Sequence, residues 1–216
     1  MTVIIEACVD SVASAVAAER GGSHRLELCE NLGVGGTTPT TALIDAVRAR
    51  VRIPIMVMIR PRGGSYVHNR AELDQMRRDI GAAKEHGADG VVLGVLDASN
   101  RVDVEATSDL VALAAGTPVT FHRAFDSVPD LSIGLDALVA AGVARVLTSG
   151  GASTALAGAP MLARLVQRAG ERIRVMAGGK VRGYNVREIA ETSGVTEVHA
   201  RCELDDSQIR AIASAL

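Results

Sequence analysis

The chain has 216 residues, 48% hydrophobic and 22% charged, with a formal net charge of −2. That is a globular composition sized for one core, and it lacks the basic footprint of a nucleic-acid binder. Aromatics are 2% (Tyr66, Phe121, Phe125 and Tyr184), too few for a base-stacking platform, and no apolar run approaches the ~20 residues of a membrane helix.

Met1-Thr2-Val3-Ile4-Ile5-Glu6 has no charged leader region and runs straight into a strand pattern. No signal peptide is expected, and the location read from this is cytoplasmic. The three cysteines, Cys8, Cys29 and Cys202, read as cytosolic thiols rather than a disulfide framework. Eight strand-like runs follow one another: Val3–Cys8, Arg25–Cys29, Ile55–Arg60, Gly90–Leu96, Val119–Arg123, Arg145–Ser149, Ile173–Gly178 and Glu197–Arg201. Helical patterns separate them, such as Asn69 to Glu85, Pro129 to Ala141 and Ser207 to Leu216. Asn69-x-x-Glu72 has capping-box spacing, and Thr38-Pro39 predicts an N-cap followed by an N1 proline. Gly22, Gly87, Gly142 and Gly194 each stand three residues ahead of an even-numbered strand. Glycine there ends a helix before the chain turns into the strand. Four such copies suggest quarters of two βα units each. Eight alternating units predict a single-domain (β/α)₈ TIM barrel over residues 1–216. An open doubly wound sheet is the alternative.

The outer face of barrel strands lies under helices and must be apolar, and side chains alternate. Leu26 and Leu28 therefore point out, and Glu27 and Cys29 point in. The same rule turns Glu6, Cys8, Met56, Met58, Arg60, Thr120, His122, Ser149, Gly178, Glu197, His199 and Arg201 inward. Active sites of such barrels sit at the C-terminal strand ends, where most of these residues cluster. Buried carboxylates are costly unless paired. Mutual neutralisation of Glu6, Glu27, Arg60 and Arg201 is thus the purely structural reading, and a ligand site is the functional one.

Cys8 and Cys29 come from adjacent strands at matched depth, so two thiolates, with the Met58 thioether, suit soft Cu(I). Small apolar core packing is the bland alternative. Arg60 and Arg62, in Arg60-Pro61-Arg62-Gly63-Gly64, suit a carboxylate or phosphate. His122 at a strand end near Asp126 suits acid/base work. Gly178-Gly179-Lys180 on strand seven, a helix from about Asn185, Ser149-Gly150-Gly151, His199 and Arg201 suggest an anion cradle. Tight turns that need glycine explain the same pairs without a ligand.

Glu6-Ala7-Cys8-Val9-Asp10-Ser11, Arg25 to Cys29, Gly35 to Pro39, Met58 to Gly64, Gly87 to Gly90, Thr120 to Asp126 and Val146 to Gly150 together resemble the CutC copper homeostasis family, from about Val3 to His199. The resemblance implies a cytosolic, oligomeric TIM barrel linked to copper, with Cys8 and Cys29 at the positions assigned to Cu(I). The sequence departs from the family pattern in Gly-Gly-Ser-Tyr after Arg62, in Lys180 where a third glycine is usual, and in Ala200-Arg201-Cys202 after His199. Two functions follow. One is a copper-binding protein with Cys8, Cys29 and Met58 as ligands. The other is a metal-independent lyase or isomerase on a small anionic or phosphorylated metabolite. In the second, Glu6, Glu27 and His122 are catalytic, and Arg60, Arg62, Ser149, Gly178, Gly179, His199 and Arg201 hold the anion. No organic cofactor, nucleic acid or membrane partner is expected, and the chain is expected to form a homo-oligomer.

Overall fold

The computed structural model describes residues 3–216; Met1 and Thr2, the first residues of the segment expected to lack a signal peptide, lie outside them. Eight parallel strands close into a barrel in sequence order: β1 Ile4–Val9, β2 Arg25–Leu28, β3 Ile55–Met58, β4 Gly90–Leu93, β5 Val119–Phe121, β6 Arg145–Thr148, β7 Arg174–Gly178 and β8 Glu197–Arg201. Between and after them run α1 Val12–Arg20, α2 Thr41–Arg48, α3 Arg70–Glu85, α4 Val104–Ala114, α5 Leu131–Ala140, α6 Ala159–Ala169, α7 Val186–Ser193 and α8 Ser207–Ala215. This is the (β/α)₈ TIM barrel that the alternating pattern predicts, and it excludes the open sheet. The long strand runs end two or three residues early, because Ile59-Arg60, Gly94 to Leu96 and His122-Arg123 already belong to the rim loops.

Most of the core lies between strands and helices. Ile5, Leu26, Leu28, Ile55, Val57, Leu93, Phe121 and Val198 are buried there, as the outward parity requires. Gly22, Gly87, Gly142 and Gly194 have φ of +98°, +87°, +77° and +72°, a conformation that costs glycine nothing. Asn69 caps α3 in a reciprocal capping box with Glu72. The N-cap of α2 is Thr40 rather than Thr38. Thr38 is spent elsewhere: its hydroxyl accepts from the Arg60 N–H at 2.9 Å and donates to Asp79. That ties the β2 loop to the end of β3.

The floor of the barrel is ionic. Arg25 pairs with Glu6 at 2.5 Å and with Glu197. Arg145 pairs with Glu197 at 2.5 Å and donates to Thr120 at 3.1 Å. The register explains the meeting, since Glu6 stands beside Arg25 and His199, and Thr120 beside Arg145. Two cations and two carboxylates neutralise one another, which is what makes charge tolerable inside a barrel.

Candidate functional site

A cavity of about 150 Å³ opens at the C-terminal mouth, lined by Cys8, Glu27, Met58, Arg60, His122 and His199 with a few neighbours. Period-two alternation delivers these six side chains from five different strands or strand ends. A larger groove of about 790 Å³ lies beside α4 and α5; its charged residues are engaged locally, Asp97 with Arg101, and Asp103 and Asp130 as the caps of the two helices.

The register sets Cys8 beside Glu27, so Cys29 stands two residues beyond the matched depth expected of it, just past the end of β2. The Cys8 and Cys29 sulfurs still lie 3.7 Å apart on one side of the mouth, both thiols are free, and Met56, Met58 and Val92 close the same apolar cluster. A Cβ at Gly36, whose φ is +85°, would stand 3.4 Å from the Cys29 sulfur and 3.6 Å from the Met58 methyl. The β2 loop therefore passes directly over this sulfur-rich patch. The hydrogen bond with Cys29, burial and the nearby Glu27 together push the Cys8 thiol well above its ordinary pKa.

Behind the sulfurs sits His199, held between two carboxylates. Its Nδ1 meets Glu6 at 2.8 Å and its Nε2 meets Glu27 at 3.8 Å. Burial pushes the Glu6 carboxyl up, but the His199 hydrogen bond and the Arg25 charge outweigh it and hold Glu6 at about 2. Burial dominates at Glu27 and raises it. Burial also pushes His199 down, yet the two carboxylates leave it above its ordinary value. One donor atom each from Cys8, Glu27 and His199 lies within 4.8 Å of the others, close enough to share a metal ion.

On the other side Arg60 is buried. Its Nη1 donates to the carbonyls of Val34 and Gly36 at 3.1 and 2.9 Å, and its Nη2 to Gly64 at 3.0 Å. His122 follows β5 and is also buried, and its Nδ1 accepts from the Ala124 N–H at 3.2 Å. Burial and the positive charge of Arg60 push it down to about 3, so the ring is neutral. Asp126 is not its partner. That carboxylate pairs with Arg123 at 2.8 Å and accepts from Thr148, Ser149 and Gly151, so it organises the β6 loop instead.

The expected anion set is only partly assembled. Arg60 and His199 line the cavity. Arg62 turns to the α3 capping box, where its Nε meets Glu72 at 2.5 Å. Arg201 ends β8 with its side chain exposed. Ser149 is buried, with its hydroxyl shared among Asp126, Ala152 and Arg123. A Cβ at Gly178 would run into Leu147 at 2.5 Å, and one at Gly179 would stand 3.1 Å from Ser149 Cβ; close packing accounts for both glycines. Glu6 lies below the cavity, bonded to His199 and Arg25. Tyr66 and Arg123 also line the mouth and were not singled out from sequence. Arg123 adjoins His122 in the Thr120–Asp126 motif, which was a usable signal; Tyr66 sits in a rim loop with no periodicity to reveal it.

The family model for the CutC family matches residues 3–203. The chain belongs to the CutC family. It is 48% identical over 196 residues to the human copper homeostasis protein cutC homolog, covering 91% of this chain and 72% of the human one. It is 46% identical over 200 residues to a CutC family protein of Chromobacterium violaceum, covering 93% and 81% of the two chains. A crystal structure of CutC from Streptococcus agalactiae superposes with a TM-score of 0.86 at 36% identity, over 92% of this chain and 98% of that one. The CutC assignment read from the motifs therefore holds, and so does the barrel. Among the described residues no helix is long and apolar enough to cross a membrane.

Proposed function

We propose that this CutC protein handles copper by holding one Cu(I) ion at the barrel mouth through the thiolates of Cys8 and Cys29, with the Met58 thioether beside them. The observation that carries this reading is the 3.7 Å separation of the two sulfurs. A metal–thiolate bond of about 2.3 Å sets two sulfurs about 3.8 Å apart at a tetrahedral centre and about 4.0 Å apart at a trigonal one. The pair is thus spaced for a shared ion with shifts of only a few tenths of an ångström. Two thiolates and a thioether are soft donors, the kind that select Cu(I). The apolar wall of Met56, Met58 and Val92 limits water access to the ion. Free thiols persist in reducing compartments, and we place the protein in the cytoplasm on that basis.

The Cys8 thiol, raised well above its ordinary pKa, is protonated in the metal-free protein, so binding releases a proton from it and weakens as pH falls. A second reading uses the nitrogen and oxygen donors of His199 and Glu27 with Cys8, a set better suited to a borderline divalent ion such as zinc. An anaerobic Cu(I) competition titration against a strong chelator separates the two. The copper reading expects tight one-to-one binding that Cys8→Ser/Cys29→Ser abolishes, that Met58→Leu weakens about tenfold, or about 1.4 kcal/mol, and that Glu27→Gln leaves standing. Retained Cu(I) binding in the double variant overturns it. Zinc bound more tightly than Cu(I) and lost in Glu27→Gln establishes the second reading instead.

A further inference from the structure

Copper at the two cysteines leaves half of the mouth cavity unused. We propose that the Arg60–His122 side of it is a binding site for a small organic hydroxycarboxylate. Arg60 is only 3% exposed and always charged. The other ionisable groups that act on it are Tyr66 and Arg62, not a carboxylate. Three of its five N–H groups are taken by backbone carbonyls, and Nε is buried without a partner. A buried cation without a counter-ion is among the costliest things a fold can keep. The remaining donors, Nε–H and one Nη2–H, belong to the planar guanidinium that recognises carboxylates two-pronged.

His122 lies on the same aromatic ring as Arg60. The Arg60 guanidinium is 5.0 Å from the Tyr66 ring centroid, and the His122 ring is 5.1 Å from it. Because Nδ1 of His122 accepts from Ala124, the neutral ring carries its proton on Nε2, and that atom is buried without a partner. Glu27 Oε1 is unpartnered as well. All three residues line one cavity. A guanidinium fork, one donor and one acceptor call for a carboxylate and a hydroxyl: the carboxylate on Arg60, the hydroxyl accepting from His122 and offering its proton to Glu27. Buried polar groups left unpaired are the usual mark of a missing partner. A phosphate fits less well, because the β6-loop amides that would cradle it are already spent: the Gly150 N–H donates to Thr148 and the Gly151 N–H to Asp126.

The test uses metal-free protein and three probes: glycerate, propionate and inorganic phosphate. Calorimetry follows affinity, and the Arg60 Nε–H resonance in a ¹H–¹⁵N spectrum reports contact in the wild-type chain, so the result survives a variant that fails to fold. Glycerate is expected to bind and shift that resonance. Propionate, lacking the hydroxyl, is expected to bind at least about tenfold more weakly. Arg60→Lys and His122→Gln are expected to weaken glycerate, and Cys8→Ser/Cys29→Ser to leave it unchanged, which separates this site from the copper reading. An unmoved Arg60 signal, equal binding of propionate, tighter binding of phosphate, or loss of glycerate in the cysteine variant overturns the proposal.

Discussion

Gly94, just after β4, has no backbone requirement for glycine, yet a Cβ there would stand 2.3 Å from Cε1 and 2.4 Å from Nδ1 of His122. Carbon atoms rest at about 3.5–4.0 Å, so in Gly94→Ala the imidazole must retreat by more than 1 Å or the strand end must move. The ring has little freedom: Ala124 donates to Nδ1, and Tyr66 and Phe121 pack on it at 5.1 and 6.0 Å. Overpacking costs about 1–3 kcal/mol, and replacing glycine stabilises by about 0.4–1 kcal/mol through the unfolded chain. The net loss is on the order of 1–2 kcal/mol, or a fall in Tm of about 2–8 °C for a chain of this size. Calorimetry reads it directly, and a double-mutant cycle assigns it. In a His122→Ala background the added methyl enters space vacated by the ring and keeps only the Ala124 Cβ at 3.1 Å to crowd it, so most of the cost disappears and a coupling on the order of 1 kcal/mol or more appears. If Gly94→Ala is neutral in the wild type, or equally costly in both backgrounds, the contact does not fix His122 as described.

Arg25→Met leaves Glu6 with His199 alone and takes one of the two arginines from Glu197; a loss of about 3–5 kcal/mol is expected, a fall in Tm of about 6–20 °C, and an unchanged melt refutes the ionic floor. His122 titrates at about 3 when folded, against about 6.5 when unfolded. The unfolded chain therefore binds more protons between those values, and this residue's contribution is full above about pH 6.5 and lost as pH falls toward 3, at up to about 1.4 kcal/mol per unit. Urea midpoints from pH 6.5 to 5 should accordingly fall less in His122→Gln than in the wild type, and parallel slopes contradict the assignment. Burial pushes Cys202 up to about 11 and Cys8 is also raised, so iodoacetamide at pH 8 should label these two slowly in the native protein and all three cysteines after unfolding; fast native labelling of Cys8 or Cys202 refutes the burial.

Two rules, apolar outside and alternation along a strand, were enough to place Cys8, Glu27, Met58, Arg60, His122 and His199 in one mouth before any coordinates. The same alternation turns Arg25 and Arg145 inward, but each opens its strand run beside a glycine turn, and there a charged residue reads as solvated. What alternation cannot supply is pairing. Arg62 follows Arg60 by two residues, yet the α3 capping box sets Glu72 within its reach and removes it from the mouth. Asp126 is four residues from His122 in sequence, but the 3₁₀ turn at Arg123–Ser127 aims it at Arg123 and the β6 loop. Arg201 is inward by parity, but it is the last residue of its strand and stands at the rim in solvent. Choices between partners at the rim depend on loop geometry, which has no period to read.

The central claim is that two barrel-mouth thiolates hold copper. Anomalous diffraction at the copper edge, on crystals loaded anaerobically with one equivalent of Cu(I), tests it most directly. The account predicts a single strong peak bonded to both the Cys8 and Cys29 sulfurs. A peak on His199 and Glu27 without Cys29, or no ordered copper in the mouth, contradicts it.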